Sequence, residues 1–260
     1  MQDINTYTAV EDYIRLILQG EPKSGKTTLA CQFPGAYIID CDVNLGGPLR
    51  FLREHNLPLP VGYDVLDKDE NGADVPVPQR YLRFQKLMSE AQQNEKVQTI
   101  VIDSATAFQD ILLAETNRLQ PSVKDGRQLW GFFFTYGKEL MARFRLFRKH
   151  IIFITHEKTE KLPDGSIVYP IRIAWPGQLG TIMTSFFTDV WRTEVKQIGY
   201  SPNSKYEWYV RTMPNYQYKL GNSLGLPDEF VFDWKLIEQK LNKGNNVTPK
   251  ENQVPATAVS

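Results

Sequence analysis

Short, unbroken apolar runs recur along the chain at Leu16 to Leu18, Tyr37 to Ile39, Thr99 to Ile102 and Ile151 to Ile154. A strand covered on both faces reads as such a run, whereas a strand with one wet face alternates. The runs therefore predict buried strands at 15–19, 36–40, 97–103 and 151–155. Helical patterns fall between them. TTLACQF runs from the first strand until Pro34-Gly35 stops it, and Leu49 to His55 follows the Gly46-Gly47-Pro48 break. Gln79 to Asn94 places Tyr81, Phe84, Leu87, Met88 and Ala91 on one face. Two more helices are predicted, from just after Asp103 to about Leu119 and from about Trp130 to Lys149. Strand and helix in alternation predict an α/β fold, a mainly parallel twisted sheet flanked by helices.

Other stretches depart from that rhythm. Val61 to Val77 is polar and centred on Asn71-Gly72, which predicts a hairpin or loop decorating the core. Beyond Pro176, DVWRTEV and KYEWYVRTM predict a C-terminal antiparallel extension of the same sheet, and Asp233 to Asn242 a final helix. The expected organisation is a short segment at 1–14, one core at 15–242 and a tail at 243–260, the last too polar and Pro-interrupted to repay ordering.

Composition narrows the possibilities. A chain of 260 residues suffices for one substantial α/β core. Lys+Arg and Asp+Glu are balanced at 30 each, so a nucleic-acid site would have to be regional. Cys31 and Cys41 are expected to be reduced core thiols. The start MQDINTYTAVEDY lacks a signal pattern, and no apolar run approaches the ~18 residues of a membrane span. A cytoplasmic protein is the expectation.

The chemistry is concentrated early in the chain. Gly20-Glu21-Pro22-Lys23-Ser24-Gly25-Lys26-Thr27, followed by Thr28, fits G-x-x-x-x-G-K-[ST] between a strand and a helix. In such a loop the backbone N–H groups curl around phosphates, Lys26 reaches the β and γ oxygens, and Thr27 holds Mg²⁺. Asp103 ends a buried strand, where a carboxylate can hold the same Mg²⁺ opposite Thr27. It can equally cap the following helix. Together the two motifs predict ATP and Mg²⁺ as cofactors.

With the P-loop, YIIDCD, TIVIDSATA and IIFITH in this order, the chain resembles the RecA superfamily from about Arg15 to Leu241. It is most similar to the phage RecA-like single-strand annealing proteins of the Sak-four type. That resemblance implies an ATPase of phage recombination in the host cytoplasm, stimulated by single-stranded DNA. A single-strand DNA-binding protein is an implied partner, and a homo-oligomer, filament or ring, the implied assembly, with residues before Arg15 packing on a neighbour. It implies that Asp42 activates the attacking water, although the family carries Glu there, which leaves Asp40 and Glu21 as substitutes. It also implies that His156 senses the γ-phosphate. Residues 157–176 take the place of a DNA-binding loop, with Lys158, Lys161 and Arg172 for phosphates and Tyr169 and Trp175 for bases; 120–128, with Lys124 and Arg127, take the place of another. Arg211 or Lys219 would reach ATP in a neighbouring subunit.

Each assignment has a plainer alternative. Asp40 and Asp42 fit turn chemistry at a strand end, His156 a strand-end imidazole bonded to backbone, 157–176 a solvated hairpin around Asp164-Gly165, and Arg211 and Lys219 exposed strand-edge charges. Two other functions fit the same core: a small-molecule kinase with 158–172 as its lid, and a KaiC-like or helicase-like motor without annealing activity. No Asp-x-x-Gly or Asn-Lys-x-Asp guanine reader stands where a GTPase needs one.

Overall fold

The computed structural model describes residues 13–199 and 205–244. In chain order the elements are β1 (Arg15–Gly20), α1 (Lys26–Ala30), β2 (Ala36–Asp40), α2 (Gly46–Glu54), β3 (Gly62–Val65), α3 (Val77–Gln93), β4 (Thr99–Asp103), α4 (Ala105–Leu119) and α5 (Gly126–Phe144). They continue with β5 (His150–Lys161), β6 (Ile167–Ile173), α6 (Gly177–Ile182), a 3-10 turn (Met183–Phe186), β7 (Asp189–Ile198), β8 (Lys205–Arg211), β9 (Glu229–Val231) and α7 (Trp234–Gly244). The tail from 245 and the N-terminal segment up to residue 12 lie outside the described residues.

Eight strands pair in the order β3-β2-β4-β5-β1-β7-β8-β9, and β6 pairs with β5. From β3 to β7 every neighbour is parallel, while β8 and β9 are antiparallel additions. The unbroken apolar runs resolve into two sets of alternate residues. Ile17, Ile39, Ile100, Ile102, Ile151 and Phe153 join the core under α3, α4, α5 and α6. Leu16, Leu18, Ile38, Val101, Ile152 and Ile154 join the core under α1, α2 and α7. Both faces of the parallel strands are dry, as their sequences require, and each fully buried Leu or Ile contributes roughly 1.5–3 kcal/mol.

Parallel register brings the strand ends level. Gly20 of β1 pairs with His156 of β5 and Thr193 of β7, and Asp40 of β2 pairs with Asp103 of β4. The residues that carry chemistry thus gather at the carboxyl edge of the sheet, where α/β sheets bind ligands.

Three expectations change. DVWRTEV, expected in the antiparallel extension, is β7, which pairs parallel with β1 through Leu16 to Gly20, so the extension begins only at β8. The segment from 61 to 77 is more than a decoration: β3 is an edge strand of the main sheet, parallel to β2, and the expected hairpin shrinks to the bridge between Lys68 and Asp74. Long-range bonds hold the strand, since the Tyr37 hydroxyl donates to Asp64 Oδ2 at 2.6 Å and Arg83 Nη2 to Asp64 Oδ1 at 2.9 Å. Helix α5 starts four residues earlier than the apolar pattern, because the Asp125 side chain accepts from the Arg127 N–H and caps it.

Candidate functional site

Gly20 ends β1 in a space that admits only glycine: a Cβ there would lie 2.6 Å from the Thr193 carbonyl oxygen. The loop then turns through Lys23 and Gly25, both at positive φ, and enters α1 with no side chain capping it. Ser24 and Thr193 share a hydroxyl hydrogen bond of 2.7 Å, which ties the loop to β7. Lys26 is buried, and its ammonium donates to the Gly20 carbonyl at 3.0 Å and to the Glu21 carbonyl at 2.6 Å. Burial lowers its pKa to about 8, against the opposing pull of Asp103.

A cavity of about 600 Å³ opens over this loop. Pro22 to Thr28 line it together with Asp42, Asp103 and His156, while Gly20 and Glu21 lie behind the lining. Thr27 Oγ1 donates to Asp103 Oδ2 at 2.7 Å, so the two residues expected to hold one metal do meet. The helix-capping alternative for Asp103 goes to Ser104, whose Oγ accepts from the Ala107 N–H. Burial raises the Asp103 carboxyl to about 7, the Thr27 bond opposing it. Mg²⁺ needs few protein ligands beside phosphate oxygens and water, and one hydroxyl plus one carboxylate is such a set. The residues fit the ion, and its charge would offset the cost of a buried carboxylate.

Three carboxylates were candidates for activating water, and their surroundings differ. Asp40 Oδ1 accepts from the N–H groups of Asp42, at 3.2 Å, and Val43, at 2.8 Å, which anchors the turn after β2. Glu21 is exposed, and its backbone carbonyl is what holds Lys26. Asp42 lines the cavity: its Oδ2 accepts from Ser104 Oγ at 3.1 Å, and its buried Oδ1 has no hydrogen-bond partner among the described residues. His156 also lines the cavity, its N–H donating to Thr106 Oγ1 and its buried Nδ1 likewise unpartnered. Burial and then Lys26 lower its pKa, which keeps the ring neutral.

Those of the expected DNA-binding residues whose side chains are described divide into a buried tryptophan and exposed cations. Trp175 is 4% exposed, its Nε1 donates to the Ala105 carbonyl, and its ring packs near Phe133 and Phe153. It is a core residue rather than the expected base-stacking ring and offers no face to a base, because its polar atom is already satisfied inside. Lys158 and Lys161 are exposed on the β5–β6 hairpin, Lys158 at 3.9 Å from Glu160. The side chains of Tyr169 and Arg172 lie outside the described residues. Lys124 and Arg127 are exposed before and at the start of α5. Arg211 stands on β8, flanked by β7 and β9, and is held by Glu229 and, at 3.7 Å, by Glu194, so it is no free edge charge. Lys219 is exposed and forms no ion pair among the described residues.

Two features escaped the sequence reading. Glu157 accepts a two-pronged bond from Arg192, at 2.8 and 3.2 Å, beside the P-loop. Burial raises the Glu157 carboxyl, with Arg192 pulling it back. Pro48, Phe51, Trp208, Val210 and Phe232 give the cavity an apolar and aromatic part of its lining. The alternation in KYEWYVR places Tyr206, Trp208 and Val210 on one face and was a usable signal for part of it.

Comparison with solved structures finds the KaiC-like protein of the archaeon Pyrococcus horikoshii, at 13% identity and TM-score 0.42, covering 85% of this chain and 90% of that one. It also finds the flagellar accessory protein FlaH of Methanocaldococcus jannaschii, at 15% identity and TM-score 0.37, covering 85% and 86%. No curated protein matches the chain. A family described as an AAA domain matches residues 12–218. With its P-loop at the carboxyl edge of a mainly parallel sheet and that match over most of its length, the chain belongs to this AAA domain family and is a P-loop NTPase.

Proposed function

We propose that this protein binds and anneals single-stranded DNA under the control of ATP, working as a homo-oligomer. One observation carries the reading: β5 runs unbroken from His156 in the cavity wall into an exposed hairpin bearing Lys158 and Lys161. A phosphate-sensing position and a cationic hairpin on one strand give nucleotide state a direct route to a DNA-binding element.

In the catalytic step Lys26 would neutralise the β and γ oxygens, Thr27 and Asp103 would hold Mg²⁺, and Asp42 would orient water through its unpaired Oδ1. Mg²⁺ held there would supply charge stabilisation to the transferred phosphoryl group. The His156 ring, with its proton on the nitrogen that faces the nucleotide, would donate to a phosphate oxygen. Lys219, exposed and without an ion pair among the described residues, supports the inter-subunit cation role better than Arg211, which is engaged within its own sheet.

The test is the ATPase rate with and without single-stranded DNA, in the native chain and in Lys158→Ala/Lys161→Ala. The native chain is expected to be stimulated. The double variant should bind DNA more weakly, with a salt slope shallower by about 1.4, two phosphate contacts at ~0.7 each. An ATPase indifferent to DNA points to a motor, and phosphate transfer to a small acceptor points to a kinase lid; either outcome overturns the proposal.

A further inference from the structure

The lining of the cavity over the P-loop is of two chemical kinds. Lys26, Thr27, Asp42 and Asp103 are polar and suited to phosphates and metal. Pro48 and Phe51 of α2, Trp208 and Val210 of β8, and Phe232 just after β9 are apolar or aromatic. Phe51 and Trp208 have ring centroids 5.7 Å apart at 59°, and His55 stacks on the far side of the cluster, 4.1 Å from Phe51 at 24°. The Trp208 indole also sits on the P-loop: Gly25 is at φ 88, and a Cβ there would lie 2.8 Å from Trp208 Cδ1. Its backbone is held in turn, since the Phe232 N–H donates to the Trp208 carbonyl.

Despite this anchoring, Trp208 remains 38% exposed. An aromatic fixed in place yet wet on one side, in the wall of a cavity that the phosphate loop also lines, has the attributes of a base-stacking platform. The distance between the two rings leaves no slot for a base between them, so a base would lie across the pair.

We propose that Trp208 and Phe51 form the nucleobase subsite of this cavity, taking the planar base of a nucleoside triphosphate by stacking and apolar contact. The proposal rests on the P-loop binding such a triphosphate and is independent of what the β5–β6 hairpin binds. Phe51 and Trp208 come from elements at opposite ends of the sheet order, α2 after β2 and β8 in the antiparallel extension. Base binding would therefore join the two halves of the molecule across the P-loop.

The test separates base from phosphate by using two probes, Mg·ATP and Mg·tripolyphosphate, which differ in the nucleoside. Calorimetric affinities are measured on the full chain, on Trp208→Ala and on Trp208→Phe. Trp208→Ala should weaken ATP binding by about 10- to 100-fold, the effect of losing one stacked base, and leave tripolyphosphate binding unchanged. Trp208→Phe should recover most of the loss. ATP affinity within about twofold of the native value in Trp208→Ala overturns the proposal, as does an equal loss of both probes, which would make Trp208 a support for the loop. Should Trp208→Ala not fold, Phe51→Ala decides by the same criterion: selective loss of ATP supports the subsite, and parallel or no loss overturns it. Failure of the native chain to bind either probe would instead sink the P-loop reading itself.

Discussion

The two edges of the parallel sheet treat buried polar groups in opposite ways. At the amino edge Arg15 is 2% exposed, and each of its guanidinium nitrogens has a carbonyl partner. Nε donates to the Phe144 carbonyl at 2.7 Å, Nη1 to the carbonyls of Tyr13, Ile14 and Lys149, and Nη2 to that of Phe147. Those include the last carbonyl of α5, which no helical N–H can reach. His150 beside it accepts the Ile14 N–H at Nδ1. At the carboxyl edge Asp42 Oδ1 and His156 Nδ1 are buried with no partner among the described residues, and Lys26 rests on the carbonyls of its own loop. Buried polarity answered from within holds a fold together; buried polarity left unanswered beside a cavity awaits a ligand.

The sharpest way to break this contrast is to remove one cation from each edge. Arg15→Leu removes every guanidinium bond to these carbonyls and should lower the unfolding free energy by about 2–5 kcal/mol, with nucleotide affinity intact in the folded fraction. Lys26→Ala should do the reverse: affinity for ATP falls by about 100-fold or more, while stability holds, because a desolvated ammonium is itself a cost. Denaturant titration paired with calorimetry reads both quantities, and similar profiles for the two variants would erase the distinction.

Within the carboxyl edge, Asp42→Asn keeps the bond from Ser104 and removes the charge that orients water. Turnover should fall by about 100-fold or more with ATP affinity unchanged, as for a group acting in the transition state. A variant with native turnover in a steady-state assay would return Asp40 and Glu21 to consideration.

The smallest effect is electrostatic. Burial, reinforced by Arg15, lowers the His150 pKa from 6.5 to about 4, so the unfolded chain binds more protons in that interval. Its contribution to stability is complete above pH 6.5 and is lost as the pH falls towards 4. Asp103 works in the other sense: its carboxyl is raised from 3.8 to about 7, so its contribution is complete below pH 4 and lost as the pH rises towards 7. The two oppose each other in the native chain, which makes the difference between variants the useful quantity. His150→Asn preserves an acceptor for Ile14 and should flatten only the acid-side loss, by on the order of 1–2 kcal/mol between pH 6.5 and 4. Identical pH profiles for the two proteins would remove His150 from the account.

The sequence by itself determined strands β1, β2, β4 and β5, most helices and the P-loop. These are short-range matters: a covered strand must be continuously apolar, and a phosphate loop must place its glycines, Lys26 and Thr27 within one turn of chain. Tertiary structure alone decided what depends on distant partners. It set β5 between β1 and β4, placed β3 on the sheet edge through Tyr37 and Arg83, drew Trp175 into the core, and engaged Arg211 with Glu229. It also brought Phe51 and Trp208 together over Gly25. A side chain's type states what it can do, but whether a tryptophan is core or platform, or an arginine free or paired, is set by neighbours that only long-range register supplies.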